Sequence, residues 1–429
     1  MKSWVIRKLL HSEWFIYLFL TIISIIVHYP VLKNGFLTGW DDHWMVFNYY
    51  TEGGWTAKNL WHIFSDFYGS QYGPFTELSY LVIYTFWGYE PFYFHLASLL
   101  WHIGCVCLIW NIFYSLLKDY SSYKEWECIF IATITSLLFN IHPMNIEAIA
   151  WISAVKVLIY AFFYLLGIVL YLYYIKSMQK KYYIGVLLCF IVSFLGKEQA
   201  ITFPLFLLII DWFTHRNIKS ELLWLEKVPF FIMALFGGFI TILSQGNSGG
   251  TTTFPFLERI LFACYSLMEY ITKSIFPIRL NFLYPFPIVP GEKIPMYLYM
   301  YPLICIFIII WIWIYRKNIY LIFSVLLFVV NLICSIHIIP MARHAIVADR
   351  YLYLSYIGMA FFFAYNLCFL YKKGKRQWKY TIIVFGIYCI YLSIYSFYYA
   401  TRWKNTVTVK QYTLDLHLRI TDKIERINL

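Results

Sequence analysis

Charged residues are scarce in this sequence: Asp, Glu, Lys and Arg make up 13% of its 429 residues, against about 25% in a typical soluble domain. Hydrophobic residues make up 61%, and the mean hydropathy is +0.65. A chain with so little polar surface cannot cover a soluble core, which excludes soluble, disordered and secreted globular proteins. The composition therefore predicts a polytopic membrane protein.

Several chemical signatures are also absent. The sequence has no P-loop, no G-x-G-x-x-G, no H-E-x-x-H and no repeat of about 20–50 residues, so an ATP-driven pump, a zinc protease and a repeat protein are unsupported. Its nine cysteines form no C-x-x-C pair, and we interpret them as packing residues and not as a disulfide framework or a zinc site. No small-residue cleavage site follows the first apolar run, which predicts an uncleaved first span.

The hydrophobic residues are concentrated in eleven runs of roughly spanning length. These runs cover residues 14–31, 91–117, 126–141, 148–175, 182–195, 199–213, 228–245, 297–315, 319–339, 351–371 and 380–400. Each predicts a helix, since about 20 apolar residues cross a bilayer. The pair 182–195 and 199–213 is short, so a hairpin of two tilted helices is an alternative there. Eleven spans place the termini on opposite sides of the membrane.

The basic residues indicate which side is cytoplasmic. If the N-terminus is inside, 18 of the 34 Lys and Arg residues fall in inside segments, whereas 15 of the 22 Asp and Glu residues fall outside. Lys and Arg are enriched in cytoplasmic loops, so we predict a cytoplasmic N-terminus. The net charge of +12 is then mainly a sign of topology and not of nucleic-acid binding.

Three segments on the outer side are long enough to fold: the first loop, 32–90, the segment 246–296, and the tail, 401–429. The stretch 257–277 is only moderately apolar and carries charges, so we predict a helix lying in the membrane interface. The tail has apolar residues at helical spacing, which predicts an amphipathic helix.

The strongest local feature is an adjacent pair of acids, Asp41 and Asp42, directly outside the first span and followed by His43. Neighbouring carboxylates repel each other and lose hydration at a membrane surface, so a compensating role is expected. One acid is a candidate general base for an attacking hydroxyl, and the other would orient that hydroxyl or bind a partner. The alternative is a solvated pair in a loop.

Other polar residues collect at the same predicted membrane face. They lie between spans or before the tenth span: His142, Glu147, Lys197, Glu198, Arg343, Asp349 and Arg350. Each alone is typical of a helix cap or an ion pair. Together they bring carboxylates and cations within reach of a lipid headgroup, as transfer from a lipid-phosphate donor requires. Arginine suits the phosphate because it can donate two parallel hydrogen bonds.

Lys156 lies inside the fourth apolar run. A buried lysine is costly in a membrane, so its side chain either snorkels outward or pairs with Glu147 or with a phosphate. The sequence leaves these alternatives open.

The order of several short motifs resembles a known family. The motifs are Trp40-Asp41-Asp42, Gln71-Tyr72-Gly73-Pro74-Phe75-Thr76-Glu77, Trp87-Gly88-Tyr89-Glu90-Pro91, His142-Pro143 followed by Glu147, Gly196-Lys197-Glu198-Gln199, and Ala348-Asp349-Arg350-Tyr351. In this order they resemble the GT-C superfamily of membrane glycosyltransferases. Within it, the chain is similar to the transmembrane–tetratricopeptide (TMTC) protein O-mannosyltransferases and their bacterial relatives, over residues 34–415.

The resemblance implies a GT-C-like fold of about 11 transmembrane helices. It divides the chain into a transmembrane domain, 1–400, with its catalytic site in the first loop, and the tail, 401–429. The implied reaction is inverting transfer of a mannose-like hexose from a polyprenyl-phosphate donor to a Ser/Thr hydroxyl of a protein. The site would lie at the extracytoplasmic face of the inner membrane, with Asp41 as the base beside Asp42.

The resemblance also implies roles for further residues. Lys197, Arg343 and Arg350 would bind the donor phosphate. The remaining candidates would line the site: His43, His142, Glu147, Lys156, Glu198 and Asp349. Enzymes of this type often need no metal, so no cofactor is expected, although Asp41, Asp42 and His43 carry atoms that can bind a divalent ion.

Three features depart from the family pattern. Gly73 stands where relatives often have Arg, only Lys156 remains of a charged cluster, and no tetratricopeptide array follows the last span. The last departure leaves a cell-envelope glycan or lipid open as the acceptor. A flippase for lipid-linked saccharides and a non-catalytic scaffold of an envelope complex are the competing functions. Polar residues at one membrane face, and not at the midplane, favour the enzyme.

Overall fold

The computed structural model describes residues 13–245, 254–338 and 345–427. Within these ranges the chain forms helices and two isolated bridges, and no strand. The all-helical class predicted from the sequence is confirmed. The GT-C-like arrangement and the division of the chain at residue 400 stay predictions.

The first apolar run and the first loop form five helices. They are α1 (Glu13–His28), α2 (Asp42–Met45), α3 (Tyr49–Glu52), α4 (Ala57–Ser65) and α5 (Pro74–Trp87). Side chains cap the N-termini of α3 and α4: Asn48 accepts a hydrogen bond from the N–H of Thr51, and Thr56 accepts one from the N–H of Asn59. Such caps satisfy amides that have no partner inside the helix. The first loop is therefore a folded unit.

The middle of the chain follows the predicted apolar runs. Its helices are α6 (Pro91–Tyr120), α7 (Glu125–Ile141), α8 (Ile146–Ala150), α9 (Val155–Ser177), α10 (Lys180–Gly196), α11 (Phe203–Phe213) and α12 (Glu221–Gln245). A bend of 54° separates α7 from the helical segment that begins at Pro143. Proline disfavours helical dihedrals in the residue before it, and His142 is accordingly extended.

Six helices form the remainder. They are α13 (Phe256–Ile275), α14 (Met300–Ile314), α15 (Ile319–Leu332), α16 (Tyr356–Lys373), α17 (Lys375–Arg402) and α18 (Thr406–Ile427). Helices therefore occur where the interfacial helix and the C-terminal helix were predicted. Their positions relative to a membrane stay predictions.

Six helical segments are long and apolar enough to cross a membrane, or seven if the bent pair around Pro143 is one span. They begin at Glu13, Pro91, Ile152, Glu221, Met296 and Trp378. The protein is thus a multi-pass membrane protein, but the expected count of eleven spans is not confirmed. Helices α10, α11 and α15 coincide with apolar runs and are shorter than 18 residues.

Contacts join loops that the sequence places on one side of the membrane. Lys176 pairs with Asp119, both in segments predicted to be cytoplasmic, and Lys372 pairs at 3.0 Å with Glu127, at the predicted cytoplasmic start of the run 126–141. At the other end, the Thr76 hydroxyl donates to the carbonyl of Gly196 at 3.3 Å. Which end faces the cytoplasm stays a prediction.

Helix α9 lies at the centre of the bundle, packed against α6 and α10. Within its apolar stretch, 72% of residues are buried, against 6% for α14 at the periphery. The hydroxyl of Tyr80 in α5 donates to the carbonyl of Ile152 at 3.1 Å. This contact fixes the first loop over the start of α9, where the candidate site lies.

A second cluster of charges ties the opposite end of α9 to its neighbours. Asp211 pairs with Arg216 and with Lys227, both at 2.9 Å. Arg216 also makes two hydrogen bonds of 3.0 Å to Glu226, and the hydroxyl of Tyr171 in α9 donates to Asp211 at 2.6 Å. We call these five residues the paired network.

Candidate functional site

The two acids of the predicted pair have different surroundings. Asp42 is fully buried, and its Oδ2 accepts a hydrogen bond from the N–H of Leu37 at 2.7 Å. Its Oδ1 accepts from the N–H of Ser153 at 3.0 Å and from the Ser153 hydroxyl. Burial raises the pKa of Asp42, and these hydrogen bonds oppose the rise. Asp42 thereby ties the first loop to the turn before α9.

Asp41 is half-exposed and directly precedes α2. In the described part of the chain its carboxylate has no hydrogen bond or ion pair, although its backbone carbonyl accepts from the N–H of Met45 at 2.9 Å. The carboxylate is close enough to Lys156 for the two charges to interact. Asp41 can therefore accept a proton from a ligand, whereas the oxygens of Asp42 are already occupied.

Lys156 lies in the first turn of α9, facing the first loop. Its Nζ donates to Oε1 of Gln71 at 2.6 Å. Its charged neighbours are Asp41, Lys197, Glu198 and Arg350. The alternative pairing with Glu147 is not seen, and no ion pair of Lys156 occurs among residues 13–245, 254–338 and 345–427. A cation held by a neutral amide keeps its charge available for an anion.

Lys197 and Glu198 lie side by side in the connection between α10 and α11. Lys197 is 5% exposed, and its Nζ is 3.9 Å from Oε1 of Glu198. The same Nζ lies 5.8 Å from the centre of the Tyr351 ring, a distance at which the ring face attracts a cation. The two predicted residues therefore lie beside the start of α9.

Arg350 is held by Glu147, which is fully buried in α8. Glu147 accepts from Nη1 of Arg350 at 2.5 Å and from its backbone N–H at 2.7 Å. The guanidinium lies over the rings of Trp151 and Tyr351, 5.2 and 4.9 Å from their centres. Burial lowers the pKa of Arg350, but the charges of Glu147 and Tyr351 and their hydrogen bonds together outweigh burial, and the net shift is upward. Arg350 is thus a fixed cation whose position Glu147 sets.

Asp349 is fully buried behind Arg350. It accepts hydrogen bonds from the hydroxyls of Tyr284 at 2.8 Å and Tyr399 at 3.4 Å. Burial and the nearby charge of Glu147 raise the pKa of Asp349, and the charge of Lys273 opposes that rise. Its contacts join the loop at 284 to α17 and support the segment that carries Arg350.

A pocket opens between the first loop and the start of α9. It encloses about 470 Å³ of empty space, part of which is open to solvent. Its lining includes Met45, Tyr50, Asp66, Tyr68, Gln71, Gly73, Glu77, Lys156, Gly196 and Glu198. Asp41 is not in this lining, but it lies one helical turn before the lining residue Met45, and its charge interacts with that of Lys156. Two predicted site residues, Lys156 and Glu198, line it directly.

The pocket also contains two carboxylates that were not predicted as site residues. Asp66 accepts hydrogen bonds from the hydroxyl of Tyr50 at 3.2 Å and from Nδ1 of His62 at 3.0 Å. Glu77 is 8% exposed and accepts from Nδ2 of Asn48 at 3.3 Å. Burial raises the pKa of Glu77 to about 7.

The sequence contained a signal for part of this lining. Gln71 and Glu77 both fall in the second of the motifs that carry the family resemblance. The spacing alone favours an ordinary interpretation of Glu77, since an acid in the first turn of a helix stabilises the helix dipole. For Asp66, the one local signal is His62 four residues earlier, whereas Tyr50 is brought to it by the folding of the loop.

Two predicted residues, His43 and His142, do not line the pocket. His43 is exposed, and its Nδ1 lies 2.5 Å from the carbonyl of Trp40. His142 is fully buried against the ring of Tyr356, with 3.9 Å between ring centres. Arg343 lies outside the described residues.

No group of three or more His, Cys, Asp or Glu side chains that could hold a metal ion occurs within the described ranges. The adjacent Asp41, Asp42 and His43 illustrate why. The oxygens of Asp42 accept hydrogen bonds from Leu37 and Ser153. A metal-independent reaction stays a prediction.

The sequence is similar to two curated protein O-mannosyl-transferases. It is 28% identical over 224 residues to the human TMTC4 protein, covering 44% of this chain and 30% of that protein. It is 27% identical over 189 residues to the Drosophila melanogaster Tmtc3 protein, covering 36% of this chain and 20% of that protein. The chain thus spans less than a third of the length of either relative. No family model and no solved structure matches it.

Proposed function

We propose that this chain is an integral membrane glycosyltransferase that moves a mannose-like hexose from a polyprenyl-phosphate donor to a Ser/Thr hydroxyl of a protein. The observation that carries the proposal is the position of Asp41 near Lys156 and its cationic neighbours. The carboxylate of Asp41 is half-exposed and has no hydrogen bond or ion pair in the part of the chain that the structure describes. The similarity to protein O-mannosyl-transferases supports the same class of reaction.

Asp41 acts as the general base. The oxygen of the acceptor hydroxyl attacks the anomeric carbon of the sugar, and its proton moves to the Asp41 carboxylate. The bond between the anomeric carbon and the phosphate oxygen breaks, and the electron pair leaves with the phosphate. Attack from the face opposite the phosphate inverts the anomeric centre. Asp42 orients the loop and takes no proton, because its oxygens are bound to Leu37 and Ser153.

The departing phosphate gains negative charge, which fixed cations stabilise. Lys156 and Lys197 lie near each other at the start of α9, and Arg350 is a third positive neighbour of Lys156. Glu147 neutralises part of the charge of Arg350, so Lys156 carries the main role at the phosphate. Arg343, which lies outside the described residues, stays a fourth candidate for the phosphate site.

The donor lipid requires this site to lie at a membrane surface. From the distribution of Lys and Arg, we expect Asp41, Lys156 and Arg350 to lie on the extracytoplasmic side of the inner membrane, with a cytoplasmic N-terminus. The donor would then enter from the bilayer and the protein acceptor from the aqueous side.

The proposal is tested with the purified full-length protein in detergent micelles or liposomes. It is incubated with polyprenyl phosphates that carry different hexoses and with a Ser/Thr-rich acceptor polypeptide, and the products are mapped by mass spectrometry. Asp41→Asn should lower the transfer rate about a hundredfold or more, since general bases contribute about 10²–10⁴-fold.

The matched control is Asp415→Asn, which makes the same change at an exposed acid of α18 and should leave the rate unchanged. An Asp41→Asn protein that transfers sugar at the native rate would contradict the base assignment. A sugar found on a glycan or lipid, and not on the polypeptide, would contradict the acceptor. Lipid flipping in liposomes without any transfer product would contradict the enzyme class.

A further inference from the structure

The pocket beside Lys156 contains polar groups that the transfer chemistry does not use. Asp66 is held in place by its donors: the Ser65 hydroxyl at 2.9 Å, the Tyr49 and Tyr50 hydroxyls at 3.3 and 3.2 Å, and Nδ1 of His62 at 3.0 Å. These contacts fix the carboxylate at the wall of the pocket. A group fixed in this way can recognise a ligand without reorganisation.

Glu77 is the other carboxylate of this wall, and it is less well satisfied. Its Oε2 accepts one long hydrogen bond from Asn48 at 3.3 Å. For Oε1, no hydrogen bond occurs in the described portion of the chain. Because Glu77 lines the open pocket, water or a ligand in the pocket can donate to Oε1. A ligand that fills the pocket displaces that water and must supply the hydrogen bond itself.

The neutral groups of the lining have spare donors and flat apolar faces. Oε1 of Gln71 accepts from Lys156, which leaves the Gln71 amide N–H groups to donate. Tyr68 lines the pocket, and the ring of Trp44 packs beside it with 5.8 Å between ring centres. Acceptors, donors and an aromatic ring that line one pocket suit a small polar ligand, because a few placed polar groups fix the orientation of such a ligand.

We propose that this pocket binds the sugar ring of the donor, with Glu77 accepting a hydrogen bond from a ring hydroxyl and Asp66 as the second carboxylate of the same lining. The inference rests on the proposed function and adds to it the part of the substrate that this wall recognises. A ring with several adjacent hydroxyls supplies the donors that Glu77 lacks. Lys156, at the edge of the same pocket, then lies at the phosphate to which that ring is attached.

The test separates the sugar from the phosphate with two short-chain probes. One is citronellyl phosphate, and the other is citronellyl phosphate that carries a single mannose. Binding of each probe to the purified full-length protein in micelles is measured by calorimetry. Glu77→Gln should weaken binding of the mannosylated probe about tenfold, because a hydrogen bond to a charged group is worth about that factor or more. Binding of citronellyl phosphate should stay unchanged.

Two further variants control for folding and for charge. Glu52→Gln changes an exposed acid of the same loop and should bind both probes like the native protein. Glu77→Asp keeps the charge but withdraws the carboxylate by one methylene, so it should weaken the mannosylated probe in the same way. It serves as the test variant if Glu77→Gln does not fold.

Equal weakening of both probes, or no weakening of either, would overturn the assignment of the sugar site. The outcome is distinct from the test of Asp41. If the protein shows no transferase activity but Glu77→Gln weakens binding of the mannosylated probe alone, the sugar site is supported and the proposed reaction is contradicted. If the protein is a transferase and its Glu77→Gln variant binds both probes like the native protein, the reaction is supported and this sugar site is contradicted.

Discussion

Asp42 is expected to be required for folding. In Asp42→Ala, the N–H groups of Leu37 and Ser153 and the hydroxyl of Ser153 lose their common acceptor. Leu37 is 2% exposed and Ser153 0%, so water does not replace the carboxylate. Each buried donor left unsatisfied costs about 1–3 kcal/mol. The three donors together cost about 3–9 kcal/mol. Removing a buried charge recovers part of that loss, so we expect a net destabilisation of about 3 kcal/mol, at the low end of that range.

Two milder changes should give a graded series. Asp42→Asn keeps one oxygen for Ser153 but places an amide N–H₂ against the N–H of Leu37, so it should cost about 1–2 kcal/mol. Ser153→Ala removes only the hydroxyl and should cost about 1 kcal/mol. Because Asp42 and Ser153 share a hydrogen bond, the double variant should lose less than the sum of the single losses.

The assay is thermal unfolding in detergent micelles followed by tryptophan fluorescence, with the transferase rate measured on the same samples. The adjacent Asp41→Asn is the matched control: its carboxylate has no partner in the described residues, so its stability should equal that of the native protein. An Asp42→Ala protein as stable as the native one would refute the structural role of Asp42. An Asp41→Asn protein destabilised as much as Asp42→Ala would refute the distinction between the two acids.

Three further predictions concern other parts of the molecule. Lys227→Met should destabilise the protein by about 3 kcal/mol, because it removes a partner 2.9 Å from the fully buried carboxylate of Asp211; thermal unfolding measures the loss. Gly358→Ala should lower the melting temperature, because a Cβ there would lie 2.4 Å from the carbonyl of Ser324. Burial raises the pKa of Glu77 from 4.5 to about 7, so this carboxyl stabilises the folded state fully below pH 4.5. That contribution, about 3 kcal/mol, is lost as the pH rises to about 7, and Glu77→Gln should flatten the melting temperature across this window.

Each of these predictions has a matched control. Lys219→Met changes an exposed lysine near the paired network and should not affect unfolding. Gly386→Ala adds a Cβ that meets nothing within 4 Å and should be tolerated. Glu52→Gln should keep the native pH dependence. Native stability in Lys227→Met or Gly358→Ala, or an unchanged pH profile in Glu77→Gln, would contradict the corresponding argument.

Helix positions could be predicted from the sequence because long apolar runs carry a strong signal. Every predicted run coincides with a helix, from α1 at Glu13–His28 to α17 at Lys375–Arg402. The number of spans was harder to predict. Helices α7 and α10 end just before polar residues, His142 and Lys197, whose backbone is extended. For His142 this follows from Pro143. Run length alone does not show whether such a broken helix crosses the bilayer.

The candidate site was only partly predictable, because its contacts join distant parts of the chain. The acid pair was visible as adjacent letters, but the different roles of its members depend on Ser153, which is 111 residues from Asp42. Likewise, Gln71 holds Lys156 across 85 residues, and Glu147 holds Arg350 across 203 residues. Such pairings are set by helix packing, which a single sequence does not specify.

Buried charge alone does not distinguish a site from a structural element in this protein. In the paired network, the carboxylates of Asp211 and Glu226 are matched by Arg216 and Lys227. Such a group has no capacity left for a ligand, and its expected contribution is to the packing of α9, α11 and α12. At the opposite end of α9, the carboxylate of Asp41 has no hydrogen bond or ion pair among the described residues, and Glu77 accepts one long hydrogen bond.

Lys156 completes the contrast, since its Nζ donates to a neutral amide and not to a carboxylate. Three groups with unused bonding capacity therefore lie at or beside one pocket: the carboxylate of Asp41, the carboxylate of Glu77 and the ammonium group of Lys156. Folding alone gives no reason to leave these groups unsatisfied, because pairing them would lower the free energy of the folded state. A hydroxyl that gives up its proton would engage Asp41, ring hydroxyls would donate to Glu77, and a phosphate would pair with Lys156, as the proposed acceptor and sugar-phosphate donor require.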